Sequence, residues 1–414
     1  MKSPLYKTIK ECRICGSAQI ATFLELGVQP PANSLRSNLS EELPLVSLSL
    51  CRCPECTTVQ LTETVDPNHL FRHYFWVTGT SSTAKEYAAF FFKEAAKRID
   101  RKNGFVVEIA SNDGTFLKLF KDNGFTVLGV DPAENIAKIA IEKGIPTEVD
   151  FFGAEQAKKI VPRKGKADFI FARNVIPHVA NVHDVIEGVK ACLNDGGVGA
   201  IEFHYAGEII KGLQYDSIYH EHLFYFSLKS MEYLLERHGF AAFDLMESPI
   251  SGGSLVIYFT HESNKRAIKK GLKQKLEEEI DLALDSEETW GKFSNDCFTH
   301  KQKLISLIKE MAGSKLLIGY GASARSSTML NFCGIDSSYL KCIADQNPLK
   351  HNKFTAGTDI PIVSPEEAFA KNPDVVVLLA WNFRSEIMAL LRNKFKFKKT
   401  VIVPLPNKPE VLII

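Results

Sequence analysis

The chain of 414 residues carries almost no net charge and contains no long apolar run. Lysine and arginine number 50 and the acidic residues 49, so the formal net charge is only +1. A basic excess that could track a phosphate backbone is therefore missing, and we expect no nucleic-acid partner. The longest strongly apolar stretch, residues 375–381, is far too short to span a bilayer. The N-terminus has no signal-like apolar run, so we expect a cytoplasmic protein with no membrane partner.

The length exceeds what a single hydrophobic core usually holds, which predicts two or three domains. We divide the chain into residues 1–75, 76–262 and 263–414 on the changes in motif and periodicity described below. The sequence is compatible with a monomer, but it does not determine the oligomeric state.

Nine cysteines are present, and five of them lie close together near the N-terminus. Cys12 and Cys15 form one Cys-x2-Cys pair, and Cys53 and Cys56 form a second. Two such pairs complete a tetrahedral sulfur site for zinc. Four thiolates leave no open position for substrate, so this zinc is expected to be structural. Cys51 is an alternative to Cys53, and reduced free cysteines are the alternative to a metal site.

Short apolar strands and amphipathic helices alternate over residues 105–202. This alternation predicts a doubly wound parallel sheet, in which ligands bind at the carboxyl ends of the strands. The first turn lacks the Gly-x-Gly-x-x-Gly fingerprint of dinucleotide sites. It offers no cradle for a pyrophosphate but has room for an adenosyl group.

Two carboxylates suggest which ligand this sheet binds. Glu108 lies in the first strand, just before a polar turn that contains Gly114. Asp131 ends the second strand, where a carboxylate can accept hydrogen bonds from both ribose hydroxyls. This pattern favours S-adenosylmethionine (SAM), while an NAD or nucleoside site, or no ligand, is the alternative. The predicted donor-binding residues are Glu108, Ser111, Asn112, Asp113, Gly114, Asp131 and Asn174.

Residues 215–227 place two imidazoles, a carboxylate and several phenols in one short segment. His220 and His222 flank Glu221, and Tyr219 precedes them. Histidine titrates near neutral pH, and buried titratable groups need partners, so the segment is a candidate for proton transfer. A polar loop that packs its aromatic rings on a core is the alternative. A catalytic metal is disfavoured because the spacing differs from His-Glu-x-x-His.

The last part of the chain shows a second alternating pattern. Residues 266–312 are charged and helix-prone, and a strand, a turn containing Gly319 and Gly321 and a helix follow. Further strands at residues 342–345 and 375–380 predict a second doubly wound sheet. The N-terminus of the helix after the turn can receive a phosphate. A lid domain with no ligand of its own is the alternative.

Taken together, the motifs resemble a known family, namely the SAM-dependent C-methyltransferases of nucleotide-linked 4-keto-6-deoxysugars, of the TDP-sugar C-3 methyltransferase type. The resemblance covers essentially the whole chain in the same order. It implies an α/β protein with a small N-terminal zinc-binding domain, a central Rossmann-like class I methyltransferase domain and a C-terminal doubly wound domain that helps hold the nucleotide sugar. The motifs that carry it are the cysteine pairs and residues 108–114, 174–179, 219–222 and 319–322.

The resemblance also implies roles for individual residues. His222 is expected to be the base, supported by Glu221 and Tyr219. His178 is expected beside the sugar. Tyr74 is expected in the same pocket, where His73 is a rival candidate. The implied substrate-binding residues are His204, Tyr205, Ser323, Arg325, Lys350 and Lys353.

The sequence departs from the family pattern in two turns. Ala110 replaces a glycine in the first turn, which puts the close approach of backbone and donor in question. Ser323 and Arg325 replace a proline and a lysine in the last turn, which leaves the nucleotide and sugar open. We expect a C-methyltransferase. The alternatives are a sugar O-methyltransferase, a non-catalytic zinc and nucleotide-binding module, and a dinucleotide oxidoreductase built on the turn at residues 319–321.

Overall fold

The structure is a computed structural model that describes residues 5–71 and 77–414. Tyr74 and its rival His73 lie outside the described residues, so their predicted roles are untested. Among the described residues, no helix combines the length and the apolar character that crossing a bilayer would require.

Helices and strands fall into three groups along the chain. The first group is β1 (Tyr6–Thr8), β2 (Ala21–Gln29), β3 (Val46–Arg52), β4 (Val59–Leu61), β5 (Glu63–Val65) and α1 (Pro67–Phe71). The second group is α2 (Ser82–Ala96), β6 (Phe105–Ile109), α3 (Thr115–Asp122), β7 (Thr126–Val130), α4 (Glu134–Glu142), β8 (Thr147–Glu148), α5 (Ala154–Lys164), β9 (Ala167–Arg173), α6 (Val182–Cys192), β10 (Leu193–His204), α7 (Ala206–Lys211), β11 (Phe224–Tyr225), α8 (Leu228–Arg237), β12 (Phe240–Ser248) and β13 (Ser254–His261). The third group is α9 (Lys270–Leu282), α10 (Glu287–Ala312), β14 (Leu317–Tyr320), α11 (Ala324–Cys333), β15 (Ile343–Ala344), β16 (Lys353–Phe354), β17 (Pro361–Val363), α12 (Pro365–Ala370), β18 (Val375–Leu378), α13 (Arg384–Asn393), β19 (Thr400–Val403) and β20 (Glu410–Ile413).

The central sheet has seven strands in the order β12-β13-β10-β9-β6-β7-β8. Strands β6 to β10 run parallel, as the sequence pattern predicts, whereas β13 pairs antiparallel with both β10 and β12. Every residue of β6 is buried, which is typical of a central strand covered by helices on both faces. The strand order reverses between β6 and β9, and ligands bind at such a switch point in open α/β sheets.

A second seven-stranded sheet lies in the C-terminal part, in the order β16-β17-β15-β14-β18-β19-β20. Its five inner strands are parallel and its two edge strands are antiparallel. The turn after β14 needs glycine, because Gly321 has a φ of +96° and an added Cβ would lie 2.3 Å from the Cβ of Ala380. Ser323 then caps α11 by accepting a hydrogen bond from the backbone N–H of Ser326.

One strand crosses from the second group into the N-terminal sheet. That four-stranded sheet has the order β11-β4-β3-β2, so residues just after His222 complete a sheet formed otherwise by the zinc-binding region. Phe224 pairs with Gln60, and the N–H of Leu61 donates to the carbonyl of Leu223 over 2.9 Å. The sequence pattern did not predict this pairing, because a two-residue strand has no periodicity of its own.

The helix-prone run over residues 266–312 forms two helices rather than one. Ala283 adopts the left-handed conformation, with a φ of 48°, and ends α9. The Ser286 side chain caps α10 by accepting from the N–H of Glu288 over 3.1 Å. The indole of Trp290 donates to the carbonyl of Leu284 over 2.8 Å and holds the connection. The predicted domain limits at residues 75/76 and 262/263 remain a proposal.

The position at which Ala110 replaces glycine lies in the left-handed region, with a φ of 54°. An alanine there is strained, whereas glycine adopts this conformation freely. We predict that Ala110→Gly raises the free energy of unfolding by about 1 kcal/mol. Chemical denaturation measures the change.

Ala89→Gly is the matched control. Ala89 is exposed in the interior of α2, where its backbone is helical. The same substitution there is expected to lower the free energy of unfolding by about 1 kcal/mol, because glycine is a poor helix former. The prediction for Ala110 is wrong if both variants lose stability.

Candidate functional site

The four sulfur atoms of Cys12, Cys15, Cys53 and Cys56 lie within 4.8 Å of one another. The Sγ atoms of Cys12 and Cys56 are 3.5 Å apart, and those of Cys15 and Cys53 are 3.4 Å apart. Such a cluster matches the donor set of a structural zinc site. Cys51 is not part of the cluster, so Cys53 is the ligand among the two candidates.

Polar groups around the cluster join it to the neighbouring sheet. The Gln60 amide donates to Cys12 Sγ over 3.1 Å and accepts from the Arg13 backbone over 3.1 Å. The Arg13 guanidinium donates to the carbonyl of Glu63 over 3.0 Å. Contacts of this kind orient metal ligands. The metal site therefore supports strands β4 and β5 directly.

The carboxyl ends of β6 and β9 carry buried polar atoms that indicate a missing ligand. Glu108 Oε2, Ser111 Oγ and Asn174 Oδ1 have no hydrogen-bond partner within residues 5–71 and 77–414. Buried polar atoms in proteins are nearly always paired, so these atoms point to a polar ligand. All three belong to predicted donor-binding residues, and their carboxyl, hydroxyl and amide oxygens can bond to the hydroxyl and amino groups that SAM carries. Burial raises the pKa of Glu108 well above its ordinary value.

Asp131 lies in the same cleft and keeps acceptor capacity for a ligand. Its two carboxylate oxygens accept one backbone N–H each, from Asn112 over 2.7 Å and from Ala133 over 2.8 Å. A carboxylate offers about four acceptor positions, so ribose hydroxyls can still bind.

Asp113 differs from Asp131, because its fully buried carboxylate is already bonded to three groups of the protein. It pairs with Lys143 Nζ at 2.6 Å and accepts from Thr115 Oγ1 at 2.7 Å and from the N–H of Gly79 at 3.2 Å. Asn112 Oδ1 likewise accepts from the N–H of Thr78 over 2.9 Å. Residues 78–79 thus lie against the turn, which Gly114 ends with a φ of 74°.

His222 lies in a cluster of aromatic side chains beside the loop that follows β9. Its Nδ1 is 2.8 Å from the carbonyl of Ser217, and its Nε2 is 2.6 Å from Tyr219 Oη. A carbonyl only accepts, so Nδ1 carries the hydrogen and Nε2 carries the lone pair. The ring of His178 stands edge-on to that of His222, with centroids 4.7 Å apart. The structure therefore brings together three of the predicted catalytic residues.

Burial keeps the histidines of this region neutral. It lowers the pKa of His222 well below 6.5, and the nearby His178 and His204 add to the effect. It also lowers the pKa of His178 to about 4. A neutral imidazole is the form that can take up a proton.

Glu221 is buried beside a residue of the zinc-binding region. Its Oε1 accepts a hydrogen bond from the side-chain amide of Asn33. Burial raises the pKa of Glu221 to about 7, and the Asn33 bond opposes the rise. The neighbouring His220 points the other way, with Nε2 3.2 Å from the carbonyl of Val46.

The central and the C-terminal parts of the chain also contact residues 215–225. The N–H of Leu223 donates to the carbonyl of Pro177 over 2.7 Å, which joins the segment to the loop that carries His178. Thr328 Oγ1, on α11, donates to the carbonyl of Ile218 over 2.7 Å. All three parts of the chain therefore hold residues 215–225.

His204 and Tyr205 end strand β10 but point in different directions. His204 Nε2 lies 3.2 Å from Gln214 Oε1, in the network that holds the segment, and burial lowers its pKa to about 3. The ring of Tyr205 lies toward α9, with its centroid 5.9 Å from Lys275 Nζ. The geometry does not bring Tyr205 to the His222 cluster, and its substrate-binding role remains a prediction.

The C-terminal candidates lie mostly around the turn after β14 and bind protein groups. Lys350 Nζ donates to the carbonyl of Ala322 over 2.6 Å, and Ser323 caps α11. Arg325 reaches across to Asp216, at 3.0 Å. Lys353 lies half-buried on the edge strand β16. Their predicted substrate-binding roles are untested.

Sequence reasoning missed two partners of the predicted site. Asn33 stands 188 positions from Glu221, and Asp216 stands 109 positions from Arg325. Both residues lie in stretches with visible signals, a Pro-Pro-Ala-Asn loop and the Tyr-rich segment itself. These sequence patterns indicate that the two stretches are unusual, but they do not indicate which distant residue each one contacts.

Comparisons with known proteins agree with this geometry. Family profiles match in chain order: a zinc binding domain at residues 12–71, a methyltransferase domain at residues 81–244 and a C-methyltransferase C-terminal domain at residues 249–406. The C-methyltransferase NovU of Streptomyces niveus is 31% identical over 412 residues, which cover 99% of this chain and 98% of NovU. This chain belongs to the C-methyltransferase family. It is a SAM-dependent methyltransferase, and the predicted fold class, methyl donor and zinc-binding domain are confirmed.

Solved structures resemble the C-methyltransferase only weakly. Magnesium protoporphyrin IX methyltransferase (ChlM) from Synechocystis PCC 6803 with bound SAM has a TM-score of 0.34 and 12% identity, covering 43% of this chain and 80% of that chain. A SAM-dependent methyltransferase from Anabaena variabilis ATCC 29413 has a TM-score of 0.36 and 17% identity, covering 42% and 84%.

The zinc content of cysteine variants tests whether Cys53 or Cys51 of the C-methyltransferase is the metal ligand. Cys53 belongs to the sulfur cluster, whereas Cys51 is buried outside it. We predict that Cys53→Ser loses zinc, while Cys51→Ser, the matched control, retains about one zinc ion per chain. Elemental mass spectrometry of the purified proteins measures the metal. Retention of zinc by Cys53→Ser together with its loss from Cys51→Ser would reverse the assignment.

Glu221 makes the stability of the C-methyltransferase depend on pH. Its folded pKa of about 7 lies above the ordinary value of 4.5, so the folded state binds the proton more tightly. The resulting stability is fully present below pH 4.5 and is lost as the pH rises through 7. Glu221→Gln removes this dependence. We predict that the variant gains up to about 3 kcal/mol over the wild type between about pH 5 and pH 8.

Denaturant unfolding at a series of pH values measures the difference between the two proteins. Glu25→Gln is the control, because Glu25 is exposed on β2. Its difference from the wild type is expected to stay flat with pH. A flat difference for Glu221→Gln would contradict the prediction.

Proposed function

We propose that this C-methyltransferase transfers a methyl group from SAM to the carbon next to the ketone of a nucleotide-linked keto-deoxysugar, of the TDP-4-keto type, with His222 as the base. The observation that carries the proposal is the state of the His222 ring. It is neutral and bears its lone pair on Nε2, and the His178 ring lies 4.7 Å away. The resemblance of the motifs to ketosugar C-methyltransferases supports the substrate class.

Methylation of the carbon next to the ketone requires a base close to that carbon. A carbon atom becomes a nucleophile only after a proton next to a carbonyl group is removed. The electron pair of that C–H bond then forms an enolate, whose carbon bonds to the methyl group while the sulfur–methyl bond breaks. The bound donor supplies the electrophilic methyl group. The base must hold the proton on one face of the sugar while the methyl group arrives in line.

His222 and Tyr219 form one proton-accepting unit. The Ser217 carbonyl holds the hydrogen on Nδ1, and the phenol of Tyr219 bonds to Nε2 over 2.6 Å. Because Nε2 accepts in this bond, the phenol donates its only hydrogen to it. When the phenol oxygen takes the proton of the substrate carbon, the phenol hydrogen moves to Nε2, so His222 is the final acceptor. The phenol then carries a hydrogen that it can donate to the enolate oxygen, where negative charge develops. Because burial lowers the pKa of His222, the ring is neutral and its Nε2 carries no proton at physiological pH.

The position of His178 connects this unit to the donor cleft. Asn174, with its unpaired buried oxygen, follows β9 directly. A 3-10 turn, Ile176–His178, then carries His178 to the His222 ring. A substrate carbon between the two sites would therefore face the base from one side and the donor from the other.

The C-terminal sheet is the proposed site for the nucleotide part of the substrate. The N-terminus of α11 follows the glycine turn of β14, where backbone N–H groups can meet a phosphate. Lys350 lies at the same turn, since it bonds to Ala322. These features support a diphosphate at this end of the sheet.

Removal of the proposed base should slow turnover strongly without weakening the binding of SAM. We predict that His222→Gln lowers kcat by about a hundredfold or more, which is typical of a lost acid–base group. Donor binding, measured by calorimetry, should not change. Without donor, the wild type should exchange the hydrogen next to the ketone of a TDP-4-keto-6-deoxysugar for deuterium from solvent, and the variant should not.

His220→Gln is the matched control, because His220 flanks Glu221 from the other side and bonds to the backbone carbonyl of Val46. It is expected to retain hydrogen exchange. A His222 variant with wild-type turnover would remove this residue from the role. Methylation of a hydroxyl without exchange at carbon would instead show an O-methyltransferase.

A further inference from the structure

A buried ion pair joins the C-terminal domain to the segment that precedes His222. Arg325, in the first turn of α11, binds both carboxylate oxygens of Asp216, through Nε at 3.1 Å and Nη2 at 3.0 Å. The Asp216 side chain has 0% exposure and that of Arg325 has 12%. A two-point contact between a planar guanidinium and a carboxylate fixes both position and angle.

Further contacts hold this pair in place. The indole of Trp381 donates to Asp216 Oδ2 over 2.7 Å, and the guanidinium stacks 4.9 Å from the Trp381 ring centroid. Arg325 also donates to Gln214 Oε1 and to the carbonyl of Ser251, both over 2.8 Å. Most N–H groups of the guanidinium therefore have partners inside the protein. The guanidinium therefore has little hydrogen-bonding capacity left for a ligand. Its contacts instead indicate that Arg325 holds neighbouring protein groups in position.

Asp216 lies in a 3-10 turn, Tyr215–Ser217, whose last carbonyl binds the base. The Ser217 carbonyl accepts from His222 Nδ1 over 2.8 Å. The Ser217 hydroxyl donates to the carbonyl of Gln214 over 2.7 Å, so the turn is closed on itself. Any shift of Asp216 therefore moves the carbonyl that decides which ring nitrogen of His222 carries the hydrogen.

We propose that the Arg325–Asp216 pair positions the Ser217 carbonyl and thereby holds His222 in the tautomer whose Nε2 can accept a proton. The inference rests on the proposed function of His222. Arg325 and Asp216 are positioning residues, because they act on the reaction through this turn and need not touch the substrate. The base is consequently assembled only when the C-terminal domain is packed against the segment.

The test compares ring tautomers and turnover in matched variants of the full chain. Asp216→Asn leaves Arg325 buried without a charged partner and can prevent folding. The decisive variant is therefore Asp216→Asn combined with Arg325→Gln, which removes both charges. Its control is Arg384→Gln combined with Glu410→Gln, because this arginine–carboxylate pair of the same domain is partly exposed, with an N–O distance of 3.0 Å. Nitrogen NMR of histidine-labelled protein reports the tautomer, and the His222 signal is assigned by its absence in His222→Gln.

In the wild type and the control we expect the hydrogen of His222 on Nδ1. In the Asp216/Arg325 double variant we expect a mixture of tautomers and a kcat lower by about tenfold or more, since small displacements of a catalytic group have effects of this size. Zinc content and the dissociation constant for SAM should match the wild type, which shows that the fold is retained.

An unchanged ring spectrum or an unchanged turnover in the zinc- and SAM-bound double variant overturns the proposal. The proposed function fails by a different result, namely wild-type turnover in His222→Gln. The ring spectra do not depend on the substrate, so they report on the ion pair even then.

Discussion

Residues 215–225 contain too little regular secondary structure to be rigid by themselves. The position of the His222 cluster therefore depends on the contacts that other parts of the chain make with this segment. It contains one 3-10 turn and a strand of two residues. The zinc-binding region contributes strand β4 and the Asn33 amide, the central sheet contributes the Pro177 carbonyl, and the C-terminal domain contributes Arg325. His222, the proposed base, is thus placed by contacts from all three parts of the chain, and a base has to be placed accurately to act on a carbon atom.

This dependence connects the cysteine cluster to the segment that carries the proposed base. The cysteine cluster holds Gln60, which pairs with Phe224, two positions after His222. A region this short buries too little apolar surface to be rigid alone, and metal binding supplies the missing stability. A zinc ion bound by these four thiolates would stabilise the sheet in which residues 215–225 end, and it would have no open position for chemistry.

Burial sets the electrostatics of the site as firmly as it sets the geometry. The buried histidines are neutral because desolvation disfavours their charged forms, and for His204 the positive charge of Arg325 adds to this effect. The positive charge of Arg325 is neutralised by Asp216, which is itself fully buried. Removing either charge alone would leave the other unpaired in the interior, which explains why the pair is tied to the indole of Trp381 as well.

The sequence by itself determined the features that follow from local pattern. The Cys-x2-Cys spacing, the alternation of strands and helices, and the carboxylates Glu108 and Asp131 at strand ends all depend on residues near one another in the chain. The alternation predicted over residues 105–202 corresponds for the same reason to the stretch from β6 to β10. Tertiary structure alone decided that β11 joins the N-terminal sheet, that Asn33 meets Glu221 and that Arg325 binds Asp216. Each of these contacts joins residues more than a hundred positions apart, where packing of whole domains, and not local periodicity, selects the partner.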